Sequence, residues 1–310
     1  MLGWISGLFL GLNLGANNLA AAFGTAVAVR MVSWRQAALL AAFFVLLGAV
    51  LEGAPGLDTI GGLGTADARD LATAMLGAAL AIAGLTAAGM PASTSHAVAG
   101  ALAGIALLRG TLDPTRSGLI LAVWLATPLL AGLLALAIGA ALRPLVHRRL
   151  PSILAQDHLL RIGLLGAGCY GAYALGANNV ASIAIAFLPR AGTTLACLLG
   201  GIAIALGALT ISRRVILTVG QGIARLSSFE AFVAVLAASV TAHLCAQLGA
   251  PVSATHAIVG AVFGVGLRQG TQAVHWPRTG RIFLTFLLTP PTAALLAIGL
   301  HLLDHLQYVP

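Results

Sequence analysis

Lysine is missing from this 310-residue chain, and charge of either sign is scarce: 16 arginines, 8 acids and 8% charged residues in all. A soluble domain carries about 25% charged residues, so this chain cannot clothe a water-facing surface. Cysteine is nearly absent too. Cys169, Cys197 and Cys245 stand singly in apolar stretches, with no CxxC and no even set. That excludes a disulfide framework or a thiolate metal site and leaves small core residues. No ionised carboxylate falls in a segment core: Glu52 lies near a segment end, and Asp157, Glu230 and Asp304 are peripheral. A proton-coupled carrier of metal cations normally shows an intramembrane Asp or Glu, so that class is disfavoured. Zinc spacings and nucleotide loops are also absent.

What is present is apolar. Hydrophobic residues make up 59% of the chain and its mean hydropathy is +1.01. The chain reads as an integral membrane protein. Its net charge of +8 would suggest nucleic acid in a soluble protein. Here the arginines fall mostly between apolar segments, where they set topology, and no nucleic-acid partner is expected. No basic stretch precedes the first apolar run, so that run is expected to be a span rather than a cleaved signal.

The chain is one unit written twice. "PASTSHAVAGALAG" at 91–104 recurs as "PVSATHAIVGAVFG" at 251–264. "GANN" at 15–18 recurs at 176–179, Gly110-Thr111 at Gly270-Thr271, and Thr127-Pro128 at Thr289-Pro290. These anchors keep one order at offsets of 160 to 162 residues, which defines a duplication with halves 1–150 and 151–310. Each half holds five apolar segments near the ~20 residues that a bilayer core needs. They run over about 3–29, 36–53, 71–89, 91–108 and 117–142, then 161–188, 193–212, 229–248, 251–267 and 282–303. Only helices satisfy their backbone in lipid at this hydropathy, so the fold class is all-α. Five crossings per half would place the second copy in the membrane upside down. With each segment crossing once and the N-terminus outside, twelve arginines are cytoplasmic; only Arg69, Arg109, Arg116 and Arg190 are outside. Both termini are then extracytoplasmic. Two inverted repeats with broken helices are a signature of secondary transporters.

The motifs supply the chemistry. In P-x-S-x-[ST]-H, the preceding Gly89 and Gly249 can end one helix, and Pro91 and Pro251 suit the first turn of the next. A fresh helix N-terminus deep in an apolar region attracts anions. Ser93, Thr94 and Ser95 add hydroxyls at one such end; Ser253 and Thr255 add them at the other. The same residues could simply cap helices. His96 and His256 could donate to an oxyanion, carry a proton or fix the hairpin. Asn17, Asn18, Asn178 and Asn179 each offer an oxygen for a cation and an N–H2 for an anion. Gly15 and Gly176 would allow local unwinding there. Each Ser lies one to three residues before its His on one helix start, which is not the arrangement of a Ser/His hydrolase. No enzyme is expected.

Together these residues resemble the inorganic phosphate transporter family, whose signatures read approximately GANDVANAFGT and P-x-S-T-T-H, twice. Here "GANNLAAAFGTAV" and "GANNVASIAIAF" match the first pair, and "PASTSH" and "PVSATH" the second. The resemblance covers nearly the whole chain. It implies a permease of two inverted repeats that imports an inorganic oxyanion with Na+ or H+ and needs no cofactor. The hydroxyls at 93–95 and 253–255 would bind the anion. Asn17, Asn18, Asn178 and Asn179 would serve the anion and the coupling cation. The hairpins would be re-entrant rather than spanning. A homodimer and the bacterial inner membrane complete the expectation.

The departures matter as much. The family Asp is Asn18 in one copy and Asn179 in the other; a later family Asn is Ala21 and Ser182. Both losses weaken a cation site. They also bear on the anion: hydrogen phosphate can donate a proton to a carboxylate, whereas sulfate has none to give. An amide is a mixed donor and acceptor and suits a fully ionised oxyanion. Phosphate, sulfate and, with the carboxylates gone, an uncoupled anion channel remain as readings.

Overall fold

The computed structural model describes residues 2–63, 68–88, 90, 92–149, 152–210, 226–269 and 276–306. Gly89, Pro91, Asp67, Arg213, Arg214, Arg225, Gly270 and Thr271 lie outside the described residues. The described chain is helical, without strands. In order it forms α1 (Leu2–Ala28), α2 (Trp34–Glu52), α3 (Pro55–Gly61), α4 (Ala68–Ala87), α5 (Thr94–Arg109) and α6 (Pro114–Arg149). Then come α7 (Ile153–Asn179), α8 (Ala181–Ala184), α9 (Leu188–Thr210), α10 (Ser228–Gln247), α11 (Ala254–Gln269) and α12 (Trp276–Leu306). All ten predicted segments are present. Among the described residues, seven helices are long and apolar enough to cross a bilayer.

Local sequence sets the boundaries. Ser33 and Gln36 form a capping box that starts α2; Ser227 and Glu230 do the same for α10. Gly110 ends α5 in the left-handed conformation, φ 69°. The predicted link at 143–160 shrinks to the step between Arg149 and Ile153, because the arginine-bearing ends of both helices stay wound past their apolar parts.

The halves pack reciprocally. α2 lies on α7 and α1 on α9, while α5 lies on α12 and α11 on α6. The crossings use small residues that let backbones touch. A Cβ on Gly48 would sit 2.1 Å from the Tyr173 carbonyl oxygen, and one on Gly207 2.1 Å from that of Leu12. Gly100 meets Pro290 as Gly260 meets Pro128. Gly15 meets the Ile204 carbonyl as Gly176 meets that of Val45. Gly15 therefore does not unwind its helix. It sits inside a continuous α1, serving a close approach instead of a break.

α4 and α5 form one helical hairpin, with Arg109 at its end bonded 2.7 Å to Asp70 at its start. Asp70, one residue ahead of the predicted 71–89 segment, is fully buried in the first turn of α4 and also pairs with His301 at 3.2 Å. α10 and α11 form the second hairpin. Gly3 of α1 approaches Ala72 of α4 and also Ala186, while Gly171 of α7 approaches Ala22 and Gly163 approaches Phe232 of α10. α1 and α7 thus run antiparallel, and the hairpins enter from opposite ends of the bundle. Their tips meet: Ser95 reaches Val252 and His96 touches His256. The expectation that each segment crosses once fails here, and α5 and α11, at 16 residues each, are shorter than the ~20 a crossing needs. The arginine count could not reveal this, because residues 88–95 and 248–255 carry no charge to report their side.

Candidate functional site: the meeting of two hairpin tips

Each motif starts a helix, but at Thr94 and Ala254, so Pro251, expected in the first turn, lies ahead of it in non-helical chain. Ser93 and Ser253 adopt the capping role, accepting from the backbone N–H of His96 at 3.5 Å and of His256 at 3.3 Å. Before the second start, Gly249 turns the chain at φ 65°. A residue with a Cβ is strained there. The oxygens of Ser93 and Ser253 thereby accept from their own helices, while each hydroxyl keeps its hydrogen to donate.

Asn178 and Asn179, at the last turn of α7, reach this point. Asn178 Nδ2 donates to the Val252 carbonyl at 2.7 Å, and its Oδ1 accepts from the Val252 N–H at 3.1 Å. One amide so holds both polar groups of the residue between Pro251 and Ser253. Asn179 Oδ1 accepts from Ser95 Oγ at 2.9 Å; Ser95 Oγ also lies 3.3 Å from the Val252 carbonyl. α7 thereby joins the two tips, which belong to different halves.

The histidines form the next layer. His96 stacks on Trp124 with centroids 3.7 Å apart and meets His256 edge-on at 4.4 Å. His256 in turn packs on Phe286 at 3.7 Å. His96 Nδ1 donates to the Phe286 carbonyl at 3.3 Å, and Trp124 Nε1 donates to that of Pro251 at 3.1 Å. A carbonyl only accepts, so Nδ1 carries the proton of the neutral ring and Nε2 is left with a lone pair. In that form His96 cannot donate to an anion through Nε2, and the hairpin-fixing role fits it better. Trp124 and Phe286 were not expected at the site. They were findable: each stands four residues before the repeated Thr-Pro proline, at Pro128 and Pro290.

Several buried polar atoms here have no partner. Thr94 Oγ1, Asn179 Nδ2, Ser182 Oγ and His96 Nε2 are buried and unbonded. A buried donor without a partner costs about 1–3 kcal/mol, so such a group calls for an explanation. Thr94 neighbours Ser95, whose hydroxyl meets Asn179, and Ser182 follows one helical turn later. The cluster holds no carboxylate and no cationic side chain, and among the described residues no group of three His, Cys, Asp or Glu could hold a metal ion. Its free chemistry is that of hydroxyl and amide donors.

The remaining predicted residues are not joined to the cluster. Asn18 is buried and Asn17 and Thr255 half-buried, and among the described residues none of the three makes a hydrogen bond to a hairpin tip. The second GANN is engaged with the tips by hydrogen bonds.

Known proteins share the fold and the sequence pattern. The sequence profile of the Phosphate transporter family matches residues 14–297. A Methanocaldococcus jannaschii protein that bears the provisional name of phosphate permease is 30% identical, over 91% of this chain and 90% of its own. A Haemophilus influenzae protein of the same provisional name is 26% identical, over 95% and 94%. Among solved structures, a sodium-dependent phosphate transporter superposes with TM-score 0.85 at 25% identity, covering 98% of both chains. A multi-pass helical membrane protein with both family signatures in both halves, this chain belongs to the phosphate transporter family.

Proposed function

We propose that the chain is a secondary permease for an inorganic tetrahedral oxyanion, phosphate first, that works by alternating access between two inverted repeats. One observation carries the site: two hairpin tips from different halves meet where Thr94 Oγ1 and Asn179 Nδ2 are buried without partners. An oxyanion accepts hydrogen bonds from every side, and donors held in place by their helices bind it without reorganising. The reciprocal packing of the halves supports the inverted repeat. The arginine distribution supports extracytoplasmic termini in a bacterial inner membrane.

Asn179 favours a second reading, sulfate. Where the family has an acceptor-only carboxylate, this chain has an amide whose free atom is a donor. A fully ionised anion gains from that donor, and nothing in the cluster repels it.

Thr94→Val tests the site. The change keeps the shape and removes the hydroxyl. Radiolabelled phosphate and sulfate uptake into proteoliposomes should fall about tenfold or more, the loss of roughly one charge-assisted hydrogen bond. The melting temperature should hold or rise, since an unbonded buried hydroxyl is gone. Unchanged uptake of both anions removes Thr94 from the site. Saturable counterflow identifies a carrier, and ohmic single-channel current a channel.

A further inference from the structure

We propose that Glu52 and His243, with Tyr170 and Tyr173, form a proton-binding site that couples H+ to transport in place of the two carboxylates missing from the GANN motifs. The proposal rests on the permease reading above. Glu52 is the last residue of α2, and its Oε2 lies 2.6 Å from His243 Nε2 of α10. Gln247, one turn on from His243, donates to the same oxygen, and the Tyr173 hydroxyl of α7 lies near the same carboxylate. Tyr170 OH lies 2.7 Å from His243 Nδ1. The rings of Tyr170 and Tyr173 flank the imidazole, with centroids at 5.4 and 5.6 Å.

The hydrogen-bond chemistry leaves room for one extra proton. A carboxylate oxygen only accepts, so His243 Nε2 carries a hydrogen in both states. In the neutral ring, Nδ1 accepts from the Tyr170 hydroxyl. When H3O+ delivers a proton to Nδ1 and leaves as water, Nδ1–H donates to the Tyr170 oxygen, and only the hydroxyl hydrogen turns away. Heavy-atom contacts survive, and the Glu52–His243 pair passes from −1 to 0. Release to water on the other face reverses the step. His243 is 21% exposed and Glu52 32%, so the pair is not sealed inside the bundle.

Two further features separate this cluster from a structural clasp. The equivalent positions in the first half are Phe9, Leu12, Ala83 and Ala87 in place of Tyr170, Tyr173, His243 and Gln247, so the repeat folds without it. The cluster also sits at the foot of the Asn178–Val252 clamp. Tyr173 precedes Asn178 by five residues and Gln247 precedes Val252 by five, so both arms of the clamp grow from it. A rise of 1.5 Å per residue puts Asn178 about 8 Å beyond Tyr173. Among the described residues, the titratable groups facing the pair are these two tyrosines. Neighbouring α3 and α9 carry Asp58, Arg190 and Cys197, none of which pairs with Glu52 or His243.

The full chain in proteoliposomes decides it, with radiolabelled phosphate as probe and a pH dye inside. Without Na+, an acid exterior of one pH unit should drive wild-type accumulation up to about tenfold per coupled proton, with matching internal acidification. Glu52→Gln and His243→Gln should each lose both signals while keeping phosphate counterflow, which shows that they are folded and still bind. Accumulation by Glu52→Gln at the wild-type level overturns the proposal. So does a wild-type protein driven by Na+ gradients alone. A wild-type protein that shows no counterflow of any oxyanion overturns the permease reading itself, and this proposal with it.

Discussion

Two adjacent asparagines, Asn178 and Asn179, do different work and should respond differently to the same substitution. Asn178 uses both ends of its amide on Val252, donating at 2.7 Å and accepting at 3.1 Å. Aspartate there would keep the acceptor, lose the donor and set a carboxylate oxygen against the Val252 carbonyl. Asn178→Asp should destabilise the protein by about 1–3 kcal/mol, seen as a lower melting temperature, and should cut uptake whatever the anion. Asn179 uses only its oxygen, as acceptor from Ser95, and its Nδ2 is unbonded. Aspartate keeps that acceptor and adds a charge where the family has one. Asn179→Asp should melt lower without Na+ than with it, lose sulfate uptake relative to phosphate and gain stimulation by Na+. If the two variants melt alike and show the same anion preference, the division of labour between the amides is wrong.

At the scale of helices, glycine sets where the bundle closes. A Cβ on Gly15 would lie 1.9 Å from the Ile204 carbonyl oxygen, and one on Gly176 2.0 Å from that of Val45. Neither backbone can yield alone, so Gly15→Ala and Gly176→Ala should each lose about 1–3 kcal/mol. Gly166→Ala on α7 meets nothing within 4 Å and should gain up to about 1 kcal/mol from helix propensity. Thermal melts of the three purified variants check the order; a neutral Gly15→Ala would break the argument. These helices also show what a sequence discloses. The ten segments and the break before each hairpin's second helix were legible because hydropathy and Gly-Pro breaks are local. The reciprocal crossings were not, since Gly15 reads equally as a hinge or a contact until its partner Ile204 is known. The same holds for Glu52, a peripheral acid by position, whose histidine lies 191 residues away.

For the molecule as a whole, the informative feature is an asymmetry between duplicated parts. Asn178 and Asn179 bond the hairpin tips; among the described residues no such hydrogen bond is made by Asn17 or Asn18. A protein built from two copies of one unit has a second arrangement available in which the copies exchange roles. Exchange would open the Ser95–Asn179 contact and let Asn18 engage Thr255, its counterpart partner across the repeat. A population shift of this kind needs only a few kcal/mol between the states, which is the scale of the hydrogen bonds involved. The contact at 2.9 Å offers a direct test. With Cys169, Cys197 and Cys245 changed to alanine, Ser95→Cys plus Asn179→Cys places two thiols across it. Joining them with a short thiol cross-linker should stop phosphate uptake, and cleaving a reducible linker should restore it. Each single variant, treated alike, should keep the uptake it shows before treatment, which Asn179→Cys lowers by removing a donor. Transport that continues with the tips covalently joined would mean that this contact does not open in the cycle, and the exchange of roles between the halves would have to be abandoned.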